Sequence, residues 1–330
     1  MRRGRSLSVG VCGVALVAAA LVFVPGVARA DGLPVLGVDV GNSGVATADG
    51  ARYVTMASGG STVVARVAQT GGRVLSWRAF PGTFTIPAVA YDGSAGGLSA
   101  DGKTLALIEP RQSFPRAQTR FLILGRGLAL RGVVNLKGDF SFDAISPNGD
   151  WLFLVHYTSP QDPTRYLVQG YDLRRWRLSA VPIVDPVAPG EKMRGNPVTR
   201  VMSADGRWAY TLYDGGGATP FVHALDTVAR SAHCIDLDSL SPNTDLSKLR
   251  LAVVGGGKQL EIRGGRDGTI NVDLRTFRVT SGGGLLGALE RMRLLLVTGS
   301  ALLVGTVLVM VERRRRRQTV RSVLEPLRET

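Results

Sequence analysis

Ile145-Ser146-Pro147-Asn148-Gly149-Asp150-Trp151-Leu152-Phe153-Leu154-Val155 reads as a strand end, a tight turn and a second strand. Asn-Gly supplies the positive φ that a tight turn between twisted strands requires, and the apolar run after it suits a buried strand. The turn phrase recurs as Thr47-Ala48-Asp49-Gly50, Ser99-Ala100-Asp101-Gly102 and Ser203-Ala204-Asp205-Gly206, with a weaker copy at Gly255-Gly256-Gly257. Short apolar or aromatic runs follow each copy, such as Leu105-Ala106-Leu107-Ile108 and Trp208-Ala209-Tyr210. Gly50, Gly102, Gly149, Gly206 and Gly257 are 52, 47, 57 and 51 residues apart. A recurrence of about 50 residues is the mark of a repeat architecture.

A second phrase follows the later turns: Tyr171-Asp172-Leu173, Leu225-Asp226-Thr227 and Val272-Asp273-Leu274. Each ends one strand and turns into another, so one unit holds about four antiparallel strands. Four strands per period of about 50 describe a β-propeller blade. A pair of β-sandwiches, the alternative, would not repeat its strands at this period. The expected fold is all-β, a propeller of about five four-stranded blades, with one C-terminal transmembrane helix.

The phrases Ile145-Ser146-Pro147-Asn148-Gly149-Asp150-Trp151-Leu152 and Val222-His223-Ala224-Leu225-Asp226-Thr227 resemble the YVTN and WD40-like propeller repeats of secreted bacterial proteins. The resemblance covers roughly residues 33–281. Two units depart from it: the first lacks the Ser-Pro of the turn, and the fifth has Gly-Gly-Gly. The resemblance implies the fold and leaves binding modules, scaffolds and enzymes open.

The ends of the chain read as export and anchoring. Arg2, Arg3 and Arg5 precede an apolar stretch at 9–24, and Ala28-Arg29-Ala30 offers small residues at a cleavage site. That is the order of a secretory signal peptide, the alternative being an uncleaved signal anchor. Residues 294–311 form an uncharged apolar run, just long enough to cross a core of ~30 Å at ~1.5 Å per residue. Five arginines at 313–317 follow and mark the cytoplasmic side. The expected organisation is a cleavable signal peptide (1–30), an extracytoplasmic propeller (31–281), a linker (282–293), a transmembrane helix (294–311) and a basic cytoplasmic tail (312–330). The protein is thus expected in the cell membrane as a single-pass chain, its large domain outside.

The formal net charge is +14, of which the exported domain keeps +5 once the basic ends are set aside. That is mild for its size and does not suggest a nucleic-acid partner. Of the two cysteines, Cys12 belongs to the signal peptide, which leaves Cys234 and no intrachain disulfide after cleavage.

Sites of chemistry are sparse. His156, His223 and His233 show no metal-ligand spacing. There is no Gly-x-Ser-x-Gly elbow, no calcium loop and no phosphate cradle. No catalytic residue, metal or cofactor is expected. Asp92 and Asp143, with Arg200 as a partner for Asp143, are the candidates for a channel-mouth site.

Loops are more informative. In a propeller the B–C and D–A loops share one face, and here that face carries the long ones. Arg111, Arg116, Tyr157, Asp162, Arg165, Arg194, Tyr213 and Asp214 lie there and are candidate ligand-binding residues. The alternative for each is an ordinary solvated loop group. Three readings follow: a membrane-anchored propeller that binds a protein, peptide or glycan; a propeller enzyme of lactonase or hydrolase type; and a signalling protein acting through its short tail.

Overall fold

The computed structural model describes residues 44–190, 193–241, 243–265 and 268–281. The expected signal peptide, linker, transmembrane helix and tail lie outside the described residues, as does the segment 33–40, which the sequence offers as a candidate to close the ring. Among the described residues no helix is long and apolar enough to cross a membrane.

The described residues form five consecutive antiparallel sheets, each a meander with its strands in chain order. Blade 1 holds β1 (Val45–Ala46), β2 (Ala51–Ser58), β3 (Ser61–Ala68) and β4 (Val74–Pro81). Blade 2 holds β5 (Leu105–Ile108), β6 (Gln118–Leu124) and β7 (Leu130–Lys137). Blade 3 holds β8 (Phe140–Ile145), β9 (Trp151–Tyr157), β10 (Tyr166–Asp172) and β11 (Arg177–Ile183). Blade 4 holds β12 (Pro197–Met202), β13 (Trp208–Tyr213), β14 (Phe221–Asp226) and β15 (Ser231–Asp236). Blade 5 holds β16 (Arg250–Val254), β17 (Gln259–Arg263), β18 (Ile270–Asp273) and β19 (Val279–Ser281).

Strand periodicity explains how the blades stack. Successive side chains leave a strand on opposite faces. On β6, Phe121 and Ile123 pack towards blade 3, while Leu122 and Leu124 pack towards blade 1. On β9, Leu152 and Leu154 face blade 2, and Phe153 faces blade 4. On β13, Tyr210 and Leu212 face blade 5, and Ala209 and Tyr213 face blade 3. Strands buried on both faces need continuous apolar runs, which is why the phrases after each turn are so apolar. Burying one such large side chain contributes about 1.5–3 kcal/mol.

The recurring phrases form equivalent turns. Gly50, Gly102, Gly149 and Gly206 share φ between 67° and 75°. In three of these turns a serine hydroxyl donates to the Asp or Asn two residues on: Ser99 to Asp101 (2.6 Å), Ser146 to Asn148 (2.8 Å) and Ser203 to Asp205 (2.6 Å). Thr47 does the same to Asp49 in blade 1. The second phrase forms the other turn of the same face. Asp172 accepts from the N–H of Arg174 and Arg175, Asp226 from Val228 and Ala229, and Asp273 from Arg275 and Thr276.

Blade 2 departs from the expected four strands. Its innermost strand is split. Thr85 pairs with Ile108 and Leu98 with Leu105, so the register jumps by ten residues between the two halves. Residues 87–96 leave as a small hairpin, closed by an Ala88–Ala95 pair and by Val89 N–H donating to the Ser94 carbonyl at 2.8 Å. Its tip docks on β12 of blade 4. Tyr91 N–H donates to the Pro197 carbonyl (3.0 Å) and Asp92 N–H to the Val198 carbonyl (3.2 Å). Blades 2 and 4 are not neighbours in the chain order of sheets, so this hairpin bridges the space enclosed by the innermost strands.

Candidate functional site

Three long B–C loops follow β5, β9 and β13, and long D–A loops follow β4, β11 and β15. They share one face, as the sequence suggests. The bridging hairpin belongs to the first D–A connection, and Asp92 is its tip residue. Asp92 therefore sits in an insertion that splits the inner strand of blade 2. Its carboxylate accepts from the Ser94 N–H (2.9 Å), the Ser94 hydroxyl (2.5 Å) and the Thr199 hydroxyl (2.5 Å). Asp143 lies within β8 and is 3% exposed. Arg200 binds both its carboxylate and its backbone carbonyl, and is itself braced by the Thr211 hydroxyl at 2.8 Å. The carboxylates of the channel mouth thus tie blades together. Among the described residues no group of three or more His, Cys, Asp or Glu is placed to hold a metal ion.

Arg111 and Arg116 are not surface groups. Both converge on Asp139, which comes from the two-residue corner between β7 and β8. Arg111 reaches it with Nε (3.0 Å) and Nη2 (2.7 Å), and Arg116 with its backbone N–H (3.0 Å) and Nε (3.2 Å). The Arg111 side chain is 0% exposed and its guanidinium lies 4.7 Å from the Tyr157 ring centre. Burial pulls the Arg116 pKa down to about 10, with Arg111 pushing the same way and Asp139 opposing. The pair braces the β5–β6 loop against the start of blade 3.

Tyr157 and Tyr213 are also internal. With Tyr166, which the sequence reading overlooked, they form a row with ring centres 6.1 Å apart at each step. Tyr166 donates to the Gly195 carbonyl at 3.1 Å. Burial raises all three phenol pKa values. A signal for Tyr166 does exist. The β9–β10 loop is flanked by Tyr157 and Tyr166, and the β13–β14 loop by Tyr213 and Phe221, each pair directly opposed across strands.

Asp214 joins two loops. Its carboxylate accepts from the Asn196 N–H (2.8 Å), the Asn196 amide (2.9 Å) and the Gly216 N–H (2.9 Å). Asp162, Arg165 and Arg194 are what remains at the surface, with both arginines exposed. Asp162 accepts from the Thr164 hydroxyl (2.6 Å) and N–H (2.9 Å). Those bonds, aided by the charges of Arg165 and Arg194, hold its carboxyl below the usual range. The three therefore form a mixed-charge rim above the tyrosine row. A carboxylate with two exposed guanidinium groups in electrostatic reach suits recognition of a polar surface.

The histidines do not converge. His156 bonds Gln169 at 2.8 Å and stacks on Phe140, while His233 lies 3.6 Å from Asp185. His223 is buried against Tyr213.

No family model matches this chain, and no curated protein does either. Solved structures that it resembles share little sequence. The putative TolB from Agrobacterium tumefaciens is 12% identical, with a TM-score of 0.37 over 72% of this chain and 78% of that one. The propeller of Dos1 is 12% identical, with a TM-score of 0.41 over 67% and 54%. The Cps50 (Swd1) β-propeller domain of Myceliophteria thermophila is 11% identical, with a TM-score of 0.40 over 73% and 69%. Nothing about the activity of this chain follows from likenesses of that size.

Proposed function

We propose that the chain is a membrane-anchored extracytoplasmic interaction module that binds a protein, peptide or glycan through its long-loop face. The observation that carries this reading is the occupation of the enclosed space. A hairpin bridges it, Asp92 accepts from Thr199, and Asp143 is buried in β8 with Oδ1 paired to Arg200. An enzyme reading needs such carboxylates available to a substrate. Recognition is left to the outer surface, where the rim of Asp162, Arg165 and Arg194 stands on a rigid aromatic base.

The anchor is read from the sequence: an apolar run at 294–311 followed by arginines at 313–317. The direction of β19 supports a particular orientation. Fourth strands run from the tight-turn face to the long-loop face, so the chain leaves β19 on the latter. The linker of residues 282–293 is short, and the partner would be another membrane protein or a surface-bound ligand. The signalling reading has no specific observation in its favour.

The test uses photo-crosslinking residues placed at Arg165 and Arg194 of the full chain in cells, with Lys103 and Lys258 on the turn face as comparison. A reporter after Thr330 and N-terminal sequencing accompany it. The proposal predicts discrete adducts from the first pair alone, a mature N-terminus at Asp31 and a cytoplasmic reporter. Adducts confined to Lys103 and Lys258, or a reporter active outside the cell, would contradict it.

A further inference from the structure

The tight-turn face, opposite the long loops, carries a cleft of its own. It lies between blades 3 and 4, with a volume of about 720 Å³, within the range of small-ligand pockets. Three turns form it: the β8–β9 turn with Asp150, the β10–β11 turn with Arg174 and Arg175, and the β14–β15 turn with Arg230. Trp151, at the start of β9, lines it beneath Arg230, whose guanidinium stands 4.6 Å from the ring centre.

The charges in the cleft are unequally engaged. Asp172 is buried and satisfied internally. One oxygen accepts the N–H of Arg174 (2.8 Å) and of Arg175 (3.1 Å), and the other takes Nη1 of Arg175 at 3.3 Å. Arg174 and Arg230 have no ion pair among the described residues, and both are exposed. The corresponding cleft between blades 1 and 2, about 570 Å³, is different. There Arg66 pairs with Asp49 and Asp101 pairs with Lys103 at 3.3 Å, so that the acidic groups of the lining are matched by basic ones. The cleft between blades 3 and 4 therefore presents two exposed guanidinium groups that no carboxylate among the described residues pairs with directly, Arg174 acting on Asp172 only through its charge. One, Arg230, stands over an indole face, a cation–π contact that restrains its fork of donors before any ligand arrives.

We propose that this cleft binds an acidic peptide segment, with Arg174 and Arg230 each taking a carboxylate and Trp151 supplying the apolar floor. Carboxylates match the guanidinium fork in a bidentate manner. Asp150 selects the class. Its Oδ2 is taken by the Asn148 amide at 2.9 Å, while Oδ1 remains an acceptor in the cleft. Its charge repels any anionic group set against it, a carboxylate as much as a phosphate, so a ligand must carry its acidic groups at Arg174 and Arg230 and offer a donor at Asp150, which a peptide's backbone N–H supplies and a polyphosphate lacks. The cleft lies on the face opposite the rim of Arg194, so it is a second binding site rather than an extension of the first.

The experiment follows the fluorescence anisotropy of fluorescein-labelled hexaglutamate on the full-length protein in detergent. Saturable binding is expected, weakened roughly tenfold by Arg174→Ala with Arg230→Ala and unchanged by Arg275→Ala in the matching turn of blade 5. Should the alanine pair fail to fold by its melting transition, Arg174→Gln with Arg230→Gln replaces it. Unlabelled hexaglutamate should displace the probe at lower concentration than inorganic triphosphate or phosphatidylglycerol vesicles. Absence of binding, equal binding by the double variant, or stronger displacement by triphosphate or vesicles would each overturn the proposal.

Discussion

His223 is 1% exposed, and neither ring nitrogen has a hydrogen-bond partner among the described residues. Burial pushes its pKa down to about 4, helped by Arg200 and opposed by Asp143 and Asp185. The sign of the consequence is fixed. Below the ordinary histidine value of 6.5 the unfolded chain takes up a proton that the folded site refuses until about pH 4. The stabilising contribution is complete above pH 6.5 and is lost as pH falls from there to 4, by about 3 kcal/mol in all. His223→Leu removes this term. Chemical denaturation at pH 7 and pH 4 should show the variant gaining about that much on the parent protein at the lower pH; a difference that does not change with pH would refute the assignment. Nothing local to Val222-His223-Ala224 announces this burial, because the groups around the ring, Tyr213, Arg200, Asp143 and Asp185, come from other strands and loops. Arg111 and Arg116 show the same gap. Each reads as loop charge until Asp139, more than twenty residues on, comes to lie against it. Loop position is legible from a sequence, but a buried partner across a loop is not.

The bridging hairpin is the element that sequence periodicity conceals. Its tip, Tyr91-Asp92-Gly93-Ser94, has the composition of an ordinary turn, and its docking strand begins about a hundred residues later. The four Ser-x-Asp-Gly-type turns are legible because every determinant lies within six residues. The split inner strand of blade 2 is not, since Thr85 and Leu98 belong to one strand position yet are separated by the insertion. Gly97 is its root. It adopts φ +100°, and a Cβ there would lie 2.3 Å from the Ala106 carbonyl oxygen. Gly93 at the tip has φ +81° and open space around it. Gly97→Ala should therefore cost about 3 kcal/mol, against about 1 kcal/mol for Gly93→Ala, as read by urea denaturation. Equal costs would mean that the hairpin root is not packed against β5 as described.

At the scale of the whole molecule, five sheets follow one another and each packs on the next. The period of the glycines shows this much in advance, including the weaker turn of blade 5. What the period does not reveal is that the space within the inner strands is bridged, the feature on which the proposed reading as an interaction module rests. The contact that defines it is between Asp92 and Thr199, whose side chains meet at 2.5 Å across 107 residues of chain. Asp92→Cys with Thr199→Cys, made with Cys234→Ser, tests it directly by oxidation followed by peptide mass spectrometry. The account predicts a disulfide joining the peptides that contain residues 92 and 199, formed in the native protein and absent after denaturation before oxidation. Two thiols that remain open to alkylation in the native protein would show that the hairpin does not reach blade 4.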